Sequence, residues 1–355
     1  MSEPPRDTPE RGADALGPGP GGGAAPGGGD VGSGDRDALG PGPGGGDVGV
    51  HTRAPGGGVG AGPDARFPDR ATAAFVAHRN LLFTVAYEML GSAADAEDVL
   101  QETWLRWVDV DLDAVRDPRA YLVRITTRQA LTQLRALGRR RESYVGPWLP
   151  EPLLTTPDVA EDVELADSVS MAMLLVLETL APTARAVFVL REVFAVEYEE
   201  IARAVDKSPA TVRQIAHRAR SHVAARRPRE TVSATETRRA VEAFQQAVHT
   251  GDLRRLLDVL APDVVLLTDG GGVVRAALAP VVGAEAVAHV LHRLDAALAL
   301  HPTRVNGHPA LLLRRANEID TVLALRVAAG RVTGLYAVRN PEKLARLERE
   351  TPLHR

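Results

Sequence analysis

The stretch YEEIARAVDKSPATVRQIAHRAR, residues 198–220, decides the fold of the middle of the chain. Residues 198–205 keep a helical pattern, Asp206 and Lys207 make a tight turn, and Ser208 is a typical helix N-cap. Pro209 follows in the first turn of the next helix, a position that proline favours. The residues expected to pack inward along this next helix are Val212, Ile215, Ala216, Ala219 and Val223. The stretch therefore predicts a helix-turn-helix.

The outward side of the second of these helices is polar and basic. Early outward residues of a helix-turn-helix reach base edges in the major groove, and later arginines reach phosphates. The outward residues here are Thr211, Arg213, Gln214, His217, Arg218 and Arg220. A small helical domain can mimic this pattern, so the stretch alone leaves DNA binding open.

Another helical unit precedes it, over residues 67–141. Ser92 with Asp95 three residues later forms a capping signal for a helix that begins after Gly91. The buried side of that helix is predicted to hold Ala96, Val99, Leu100, Thr103, Trp104 and Trp107. The opposite, acidic side carries Asp95, Glu97, Asp98, Gln101 and Glu102. Such a charged side is most often simply solvated.

A further helix of this unit is basic along one stripe. Asp117 and Pro118 are a typical N-cap and first helical residue. At 100° per residue the stripe contains Tyr121, Arg124, Arg128, Thr132 and Arg135. Arginines beside a tyrosine favour contact with nucleic-acid backbone and unpaired bases, whereas the alternative is a solvated basic face.

Between the two helical units lies Gly146-Pro147-Trp148-Leu149-Pro150-Glu151-Pro152. Three prolines fix φ and remove backbone donors, so this segment is predicted to be extended. Trp148 has a large apolar surface that gains free energy by docking. The segment is therefore either a stiff linker with a tucked tryptophan or a strip that other parts of the chain grip.

Composition bounds the remaining possibilities. The chain has 355 residues, a net charge of −4 and no cysteine, which excludes disulfides and thiolate metal sites and suits a reducing cytoplasm. No apolar run reaches membrane-spanning length, and we expect no signal sequence. Residues 1–66 are rich in glycine and repeat DALGPGPGGG, so we expect a disordered tail.

The C-terminal part mixes helices with alternating β-rich runs. Helices are predicted over residues 236–249, 253–260 and 284–298, and strands over residues 264–268, 311–315, 321–327 and 332–338. Three helices on a curved antiparallel sheet would form an α+β cone. His289 and His292, with Asp295 nearby, are the candidate metal or acid–base residues, although surface groups of an amphipathic helix look the same.

Three further observations together identify a family. The stretches DAEDVLQETWLRW (95–107), PRAYLVRITTRQALTQLR (118–135) and the helix-turn-helix resemble domains 2 and 4 of an extracytoplasmic-function sigma factor of bacterial RNA polymerase. WLPEP (148–152), DGGG (269–272) and NPEKL (340–344) resemble motifs of the SigJ-type subgroup, which has a SnoaL-like, nuclear transport factor 2-like C-terminal extension. The resemblance covers roughly residues 67–347.

The resemblance implies a fold class and a set of domains. The chain should be multidomain, with two all-α sigma domains followed by an α+β SnoaL-like cone. The expected parts are a tail (1–66), sigma domain 2 (67–141), a linker (142–166), sigma domain 4 (167–229), the cone (235–347) and a C-terminal tail (348–355).

The same resemblance implies partners for the surfaces described above. Asp95, Asp98, Gln101, Glu102 and Trp104 should dock on the clamp helices of the β′ subunit of core RNA polymerase. Tyr121, Arg124, Arg128 and Arg135 should contact the promoter −10 element, and the outward helix-turn-helix residues the −35 element. The interdomain residues implied are Trp148, Leu149, Pro150, Glu151, Pro152, Asp269, Gly270, Gly271, Gly272, Asn340, Pro341, Glu342, Lys343 and Leu344.

Some positions depart from the family pattern. Arg128 and Thr132 stand where many such factors have Asn and Asp, so the −10 base preference does not carry over. Glu197 replaces the usual Ser or Thr cap, and Asp206 replaces a turn glycine. We expect a cytoplasmic transcription initiation factor without cofactor, metal or membrane partner. The alternative is a DNA-binding regulator whose C-terminal domain is an enzyme or senses an unknown small molecule.

Overall fold

The computed structural model describes residues 67–226, 233–295, 297–316, 318–347 and 350–355. The predicted N-terminal tail lies outside these ranges. Within them, no helix combines the length and the apolar character that crossing a bilayer requires.

Three long helices form the first helical unit, as the capping signals predict. They are α1 (Phe67–Leu90), α2 (Ala93–Val108) and α3 (Pro118–Glu142). The Ser92 side chain accepts a hydrogen bond from the Asp95 N–H, and the Asp117 side chain accepts one from the Ala120 N–H. Gly91 ends α1 with φ +68°, a conformation that favours glycine.

The linker and the second helical unit are built from shorter helices. They are α4 (Pro157–Glu161), α5 (Val163–Val169), α6 (Met171–Glu178), α7 (Pro182–Phe188), α8 (Tyr198–Val205) and α9 (Pro209–Arg226). The predicted helix-turn-helix is confirmed in α8 and α9, with Asp206 left-handed at φ 55° and Ser208 Oγ accepting from the Thr211 N–H. Glu197 precedes α8 without a side-chain capping bond. The predicted linker forms neither helix nor strand over residues 147–152 and then contains α4 and α5.

The two helical units share one apolar core. Leu82 and Leu90 of α1 and Leu134 of α3 belong to the same buried cluster as Leu190 and Val212 of the second unit. Helix α3 packs against both α7 and α8. The helical units are therefore closed on each other.

The C-terminal part folds as the predicted α+β cone, with one correction. Its elements are α10 (Ala234–Thr250), α11 (Leu253–Val259), β1 (Leu260–Asp269), β2 (Val281–Val282), α12 (Ala284–His292), β3 (Leu298–Val305), β4 (His308–Arg315), β5 (Glu318–Ala328), β6 (Arg331–Val338) and α13 (Pro341–Leu344). The strand order is β2-β1-β6-β5-β4-β3. The expectation of an all-antiparallel sheet was wrong, because β1 pairs with β6 in parallel. An alternating pattern sets which face a side chain occupies and carries no information on strand direction.

The helix predicted over residues 284–298 was also too long. Helix α12 ends at His292, and Leu298 begins the unpredicted strand β3. The alanine- and leucine-rich residues before Pro302 have high helix propensity, and pairing with β4 overrides it. Pro302 fits this strand because β3 lies at an edge of the sheet.

Both faces of the sheet are apolar. Leu311, Leu313, Leu323, Leu325 and Leu335 face α10, α11 and α12 in one core. The intervening residues Ala310, Leu312, Val322, Ala324, Tyr336 and Val338 form a second core with Leu149, Met171 and Leu344. The cone therefore lies with its second sheet face against the linker and the second helical unit.

Candidate functional site

The buried carboxylate of Asp269 forms hydrogen bonds with all three motif segments. Its Oδ2 accepts hydrogen bonds from the Leu149 N–H at 2.9 Å and from Lys343 Nζ at 2.7 Å. Its Oδ1 accepts from the Tyr144 hydroxyl at 2.6 Å and the Gly271 N–H at 3.0 Å. We call Tyr144, Trp148, Leu149, Asp269 and Lys343 the joint.

The parallel pairing of β1 and β6 explains why distant motifs meet there. Asp269 is the last residue of β1 and stands opposite Val338, the last residue of β6. Parallel neighbours end at the same edge of a sheet, so the segments that follow them lie side by side. The Asp269 carbonyl accepts from the Arg339 and Asn340 N–H groups at 2.7 and 3.0 Å. The sheet itself places DGGG beside NPEKL.

Trp148 lies between two cations of the joint region. The Arg141 guanidinium carbon is 3.8 Å from the centroid of the indole ring, and Lys343 Nζ is 4.3 Å from it. Arg141 also pairs with Glu178, which bonds the buried Arg185 at 2.7 Å. Trp148 therefore contacts both Lys343 of the cone and Arg141 of α3. Arg141 extends these contacts to Glu178 of the second helical unit.

Burial controls the charge of the joint. It lowers the pKa of Lys343 to about 8, although Asp269 acts in the opposite direction. Lys343 also donates to the Leu149 carbonyl at 2.5 Å. Burial and the bond to Asp269 raise the pKa of the Tyr144 hydroxyl, which stays neutral. The joint therefore holds one fully buried anion against one cation that burial destabilises.

Glu151 ties the linker to the first helical unit. Its Oε2 accepts from the Ser92 hydroxyl at 3.2 Å and from the Ala94 N–H at 3.1 Å, at the N-terminus of α2. The Glu151 N–H donates to the Gly91 carbonyl at 2.8 Å, and the Tyr87 hydroxyl donates to the Glu151 carbonyl at 2.7 Å. Pro150 and Pro152 are buried beside it. Burial raises the pKa of Glu151, and the hydrogen bonds from Ser92 and Ala94 to its carboxylate oppose that shift.

The glycines of DGGG permit close approach to the neighbouring segments. Gly271 has φ +63°, and a Cβ there would overlap the side-chain amide of Asn340. A Cβ on Gly272 would lie 3.2 Å from the Val145 side chain of the linker, and one on Gly270 would overlap the Val274 carbonyl. At Gly271 in particular, only glycine combines the backbone angle with the space.

Only part of NPEKL reaches the joint. Asn340 caps α13 and donates to the Tyr144 hydroxyl at 3.0 Å, and Leu344 packs in the core below the sheet. Pro341 and Glu342 are exposed. Tyr144 of the joint and Arg141, which contacts Trp148, were not predicted as interdomain residues, because both lie outside the motifs.

The acidic side of α2 is mostly available to a partner. Asp98, Gln101 and Glu102 are exposed, as are the apolar side chains of Leu105 and Val108. Asp95 is half-buried and accepts a hydrogen bond from Gln133 at 2.8 Å. Trp104 is half-buried against Phe75. The outward α2 surface thus combines negative charge with exposed apolar area.

The basic stripe of α3 is partly engaged by other elements. Tyr121 packs against Trp107 with ring centroids 5.8 Å apart, and Arg124 lies over the Tyr121 ring. Arg128 donates to the Arg203 carbonyl at 2.8 Å and to the Ala204 carbonyl at 3.4 Å, in the last turn of α8. Arg135 is exposed. In the closed structure, α8 therefore occupies the middle of this stripe.

The outward face of α9 is exposed. Thr211, Arg213, Gln214, His217, Arg218 and Arg220 are all exposed. Arg213 bonds Glu199 at 2.8 Å, and Arg220 lies 3.4 Å from Glu192. Such exposed pairs are weak and are readily exchanged for phosphate contacts.

The candidate catalytic residues lie on the surface of the cone. His289 and His292 are exposed, and Asp295 pairs with Arg315 at 2.6 Å. In the described parts of the chain, no group of three or more His, Asp or Glu side chains is placed to hold a metal ion. The side of the sheet facing α10, α11 and α12 is filled by leucines.

Comparison with known families agrees with this architecture. Residues 74–140 match Sigma-70 region 2, and residues 170–223 match Sigma-70, region 4. An exposed recognition helix and an acidic α2, carried on these two regions, define a transcription initiation factor of the sigma class.

The relatives narrow the class to a family. The chain is 34% identical over 286 residues to the ECF RNA polymerase sigma factor SigJ of Mycobacterium tuberculosis, covering 76% of this chain and 91% of that protein. It is 34% identical over 288 residues to the probable ECF RNA polymerase sigma factor SigI of that species, covering 79% and 97%. The SigJ crystal structure superposes with a TM-score of 0.63 at 32% identity, covering 78% of this chain and 99% of that one. The chain belongs to the extracytoplasmic function RNA polymerase sigma factors.

Membership settles the general function. This protein binds core RNA polymerase and promoter DNA to initiate transcription, and it is not an enzyme. Its C-terminal domain is an α+β cone.

Proposed function

We propose that the exposed side of α2 docks on the β′ clamp helices, that the α3 stripe contacts the −10 element, and that α9 contacts the −35 element. The exposed charge of Asp98 and Glu102 and the exposed arginines of α9 support this division. The cytoplasm, where bacterial RNA polymerase works, is the proposed compartment. The cone regulates this activity by setting the placement of the two DNA-reading units.

The observation that carries the regulatory part is the convergence on Asp269. One buried carboxylate bonds the linker through Leu149 and NPEKL through Lys343. The linker in turn bonds the first helical unit through Glu151. A docked cone therefore fixes the path of the chain between the two DNA-reading units.

The closed arrangement of the helical units supports inhibition of promoter contact by the cone. Arg128 cannot contact DNA while its guanidinium bonds the last carbonyls of α8. The acidic side of α2 stays exposed in the same state. Cone docking thus opposes −10 contact while leaving the polymerase surface free, a two-state equilibrium biased by contacts within the chain.

The test is reconstituted transcription with core RNA polymerase, using the full-length chain and its Asp269→Asn variant. We expect transcription from a promoter bound by the protein to rise about 5- to 150-fold, the range of typical coupling free energies. Affinity for core polymerase, measured by fluorescence anisotropy, should stay near the wild-type value. Asp295→Asn, on an exposed pair of the same domain, is the matched control. Equal loss of transcription and polymerase affinity in the Asp269 variant would contradict the proposal.

A small-molecule sensor role has one observation in its favour. A cleft of about 260 Å³ lies beside the joint and is lined by Val145, Gly146 and the loop around Leu278. A ligand there would touch the linker and the DGGG loop together. Equilibrium dialysis of the full chain against metabolite pools tests this role; a metabolite retained by the wild type and lost with Leu278→Glu would support it, and equal retention by both would count against it.

A further inference from the structure

The tip of the β3–β4 hairpin makes a contact with the helical units that lies outside the motif segments. Asn306 and Gly307 form the tip with φ 55° and φ 74°, the left-handed pair typical of a tight hairpin turn. An Asn-Gly pair normally marks an exposed turn. Here Asn306 is fully buried.

Every polar group of the Asn306 side chain has a partner in the helical units or the linker. Its Nδ2 donates to the Tyr87 hydroxyl and to the Val169 carbonyl, both at 2.7 Å. Its Oδ1 accepts from the Leu153 N–H at 2.9 Å. The Asn306 N–H also donates to the Leu153 carbonyl at 2.9 Å. One amide therefore joins α1, the linker and the end of α5.

These partners belong to segments that must separate when the helical units open. Tyr87 lies in the first unit, whereas Val169 ends α5 and directly precedes the region 4 match. Gly307 approaches Ala166 of α5 so closely that a Cβ at position 307 would lie 2.7 Å from the Ala166 Cβ. The Gly307 N–H donates to Thr155 Oγ1 at 2.9 Å. The tip thus occupies the seam between α1 and α5.

The linker also makes two isolated β-bridges beside the hairpin. Leu154 pairs antiparallel with Val305 at the end of edge strand β3, and Thr155 pairs parallel with Thr351. The Thr351 N–H donates to the Leu154 carbonyl at 2.7 Å, and Leu353 is buried in the helical core. Residues after WLPEP are therefore enclosed between the hairpin and the segment 351–355.

We propose that the hairpin tip is a second, independent contact through which the cone holds the two helical units closed. The Asp269 joint grips the linker, whereas Asn306 spans the units themselves through Tyr87 and Val169. The inference rests on the proposed regulatory role of the cone. Its partner surface is the seam formed by α1, α5 and residues 153–155.

The experiment measures the separation of the units in the free full-length protein. The chain has no cysteine, so Arg116→Cys in the first unit and Lys207→Cys in the helix-turn-helix accept a unique dye pair. Both positions are exposed. Single-molecule energy transfer then gives the ratio of separated to closed molecules, without polymerase or DNA.

Asn306→Asp keeps the shape of the side chain and removes both Nδ2 donors. We expect the separated-to-closed ratio to rise at least about tenfold, since an unsatisfied buried partner is costly. Asn80→Asp makes the same chemical change at a half-buried α1 position and should leave the ratio at the wild-type value. Circular dichroism checks that each variant is folded.

Tyr87→Phe provides a milder variant in case Asn306→Asp does not fold. It removes the hydroxyl that joins Asn306 to the Glu151 carbonyl, and we expect a rise of about threefold. Unchanged distance distributions in the folded Asn306→Asp protein, or in Tyr87→Phe if the former is unfolded, would overturn the inference. The regulatory proposal itself stands or falls on transcription by the Asp269 variant, so the two failures are distinguishable.

Discussion

Replacing Asp269 by asparagine is the sharpest perturbation of the joint. The substitution keeps the shape of the side chain and removes its charge. Lys343, which is 12% exposed, then faces an amide in place of a carboxylate. The Leu149, Tyr144 and Gly271 donors retain an oxygen acceptor only in part, because one Asp269 oxygen becomes an NH2 group.

The expected magnitude follows from the two states open to Lys343. If it stays charged, it becomes an unpaired buried cation, and breaking a buried pair costs about 3–5 kcal/mol. If it deprotonates at pH 7.5, the added cost is only about 1 kcal/mol, because the pKa of Lys343 in the intact joint is already about 8 and one pKa unit corresponds to 1.36 kcal/mol. Deprotonation is the cheaper response, and a buried donor left facing the new NH2 group costs about 1–3 kcal/mol more. Docking therefore weakens by about 2 kcal/mol or more, a factor of about thirty in the opening equilibrium.

Hydrogen exchange at the Leu149 amide measures this directly, because that N–H donates to Asp269 Oδ2. We expect exchange about thirtyfold faster in Asp269→Asn, and unchanged exchange in Asp295→Asn, whose exposed pair contributes little. Wild-type protection at Leu149 in the folded Asp269 variant would refute the reasoning. Equal acceleration in the Asp295 variant would point to general destabilisation of the cone.

Four further predictions concern other parts of the molecule. Trp148→Ala removes the ring that Arg141 and Lys343 cover, and should alter promoter-dependent transcription more than core-polymerase affinity; equal effects on both would return Trp148 to ordinary packing. Burial raises the pKa of Glu88 to about 8 from 4.5, so the folded state binds an extra proton between these values and stability falls as pH rises across that window. Glu88→Gln should therefore stabilise the protein by up to about 3 kcal/mol at pH 7, and its melting temperature should exceed that of the wild type at pH 8. The difference should shrink towards pH 5, and a pH-independent difference would contradict this. Gly271→Ala should lower the melting temperature, since its φ of +63° costs about 1 kcal/mol and its Cβ would overlap Asn340; an unchanged value would mean that the loop adapts. Arg220→Ala should reduce the slope of log affinity for promoter DNA against log salt by about 0.9 if Arg220 contacts phosphate, as titrations over a salt series will show.

The sequence predicted local structure well and long-range structure poorly. The turn at Asp206, the Ser208 cap and both helices of the helix-turn-helix were predicted correctly, because capping and helical period are local. The meeting of DGGG with NPEKL came from family resemblance, and its physical reason, parallel pairing of β1 with β6, is invisible in an alternating pattern. Asn306-Gly307 was a hairpin signal available in the sequence, but β3 was hidden by its helix-forming residues.

The closed packing of the helical units is the largest feature that the sequence did not reveal. Tyr121 and Arg128 were predicted from a single helix, where nothing specifies a neighbour. Their contacts with Trp107 and with α8 depend on the tertiary arrangement. The sequence of one helix shows which side chains share a face. Tertiary packing determines which of them remain exposed for a partner.

The doubly apolar sheet of the cone has a consequence for how the protein can be divided. Leu312, Val322 and Tyr336 face the linker and α6, so cutting the chain between α9 and α10 would leave this face open to water. Exposed apolar faces of this kind promote self-association. The C-terminal domain is therefore a separate unit only along the sequence. Physically it is half of a shared interior, and its regulation is best studied in the intact chain through single substitutions.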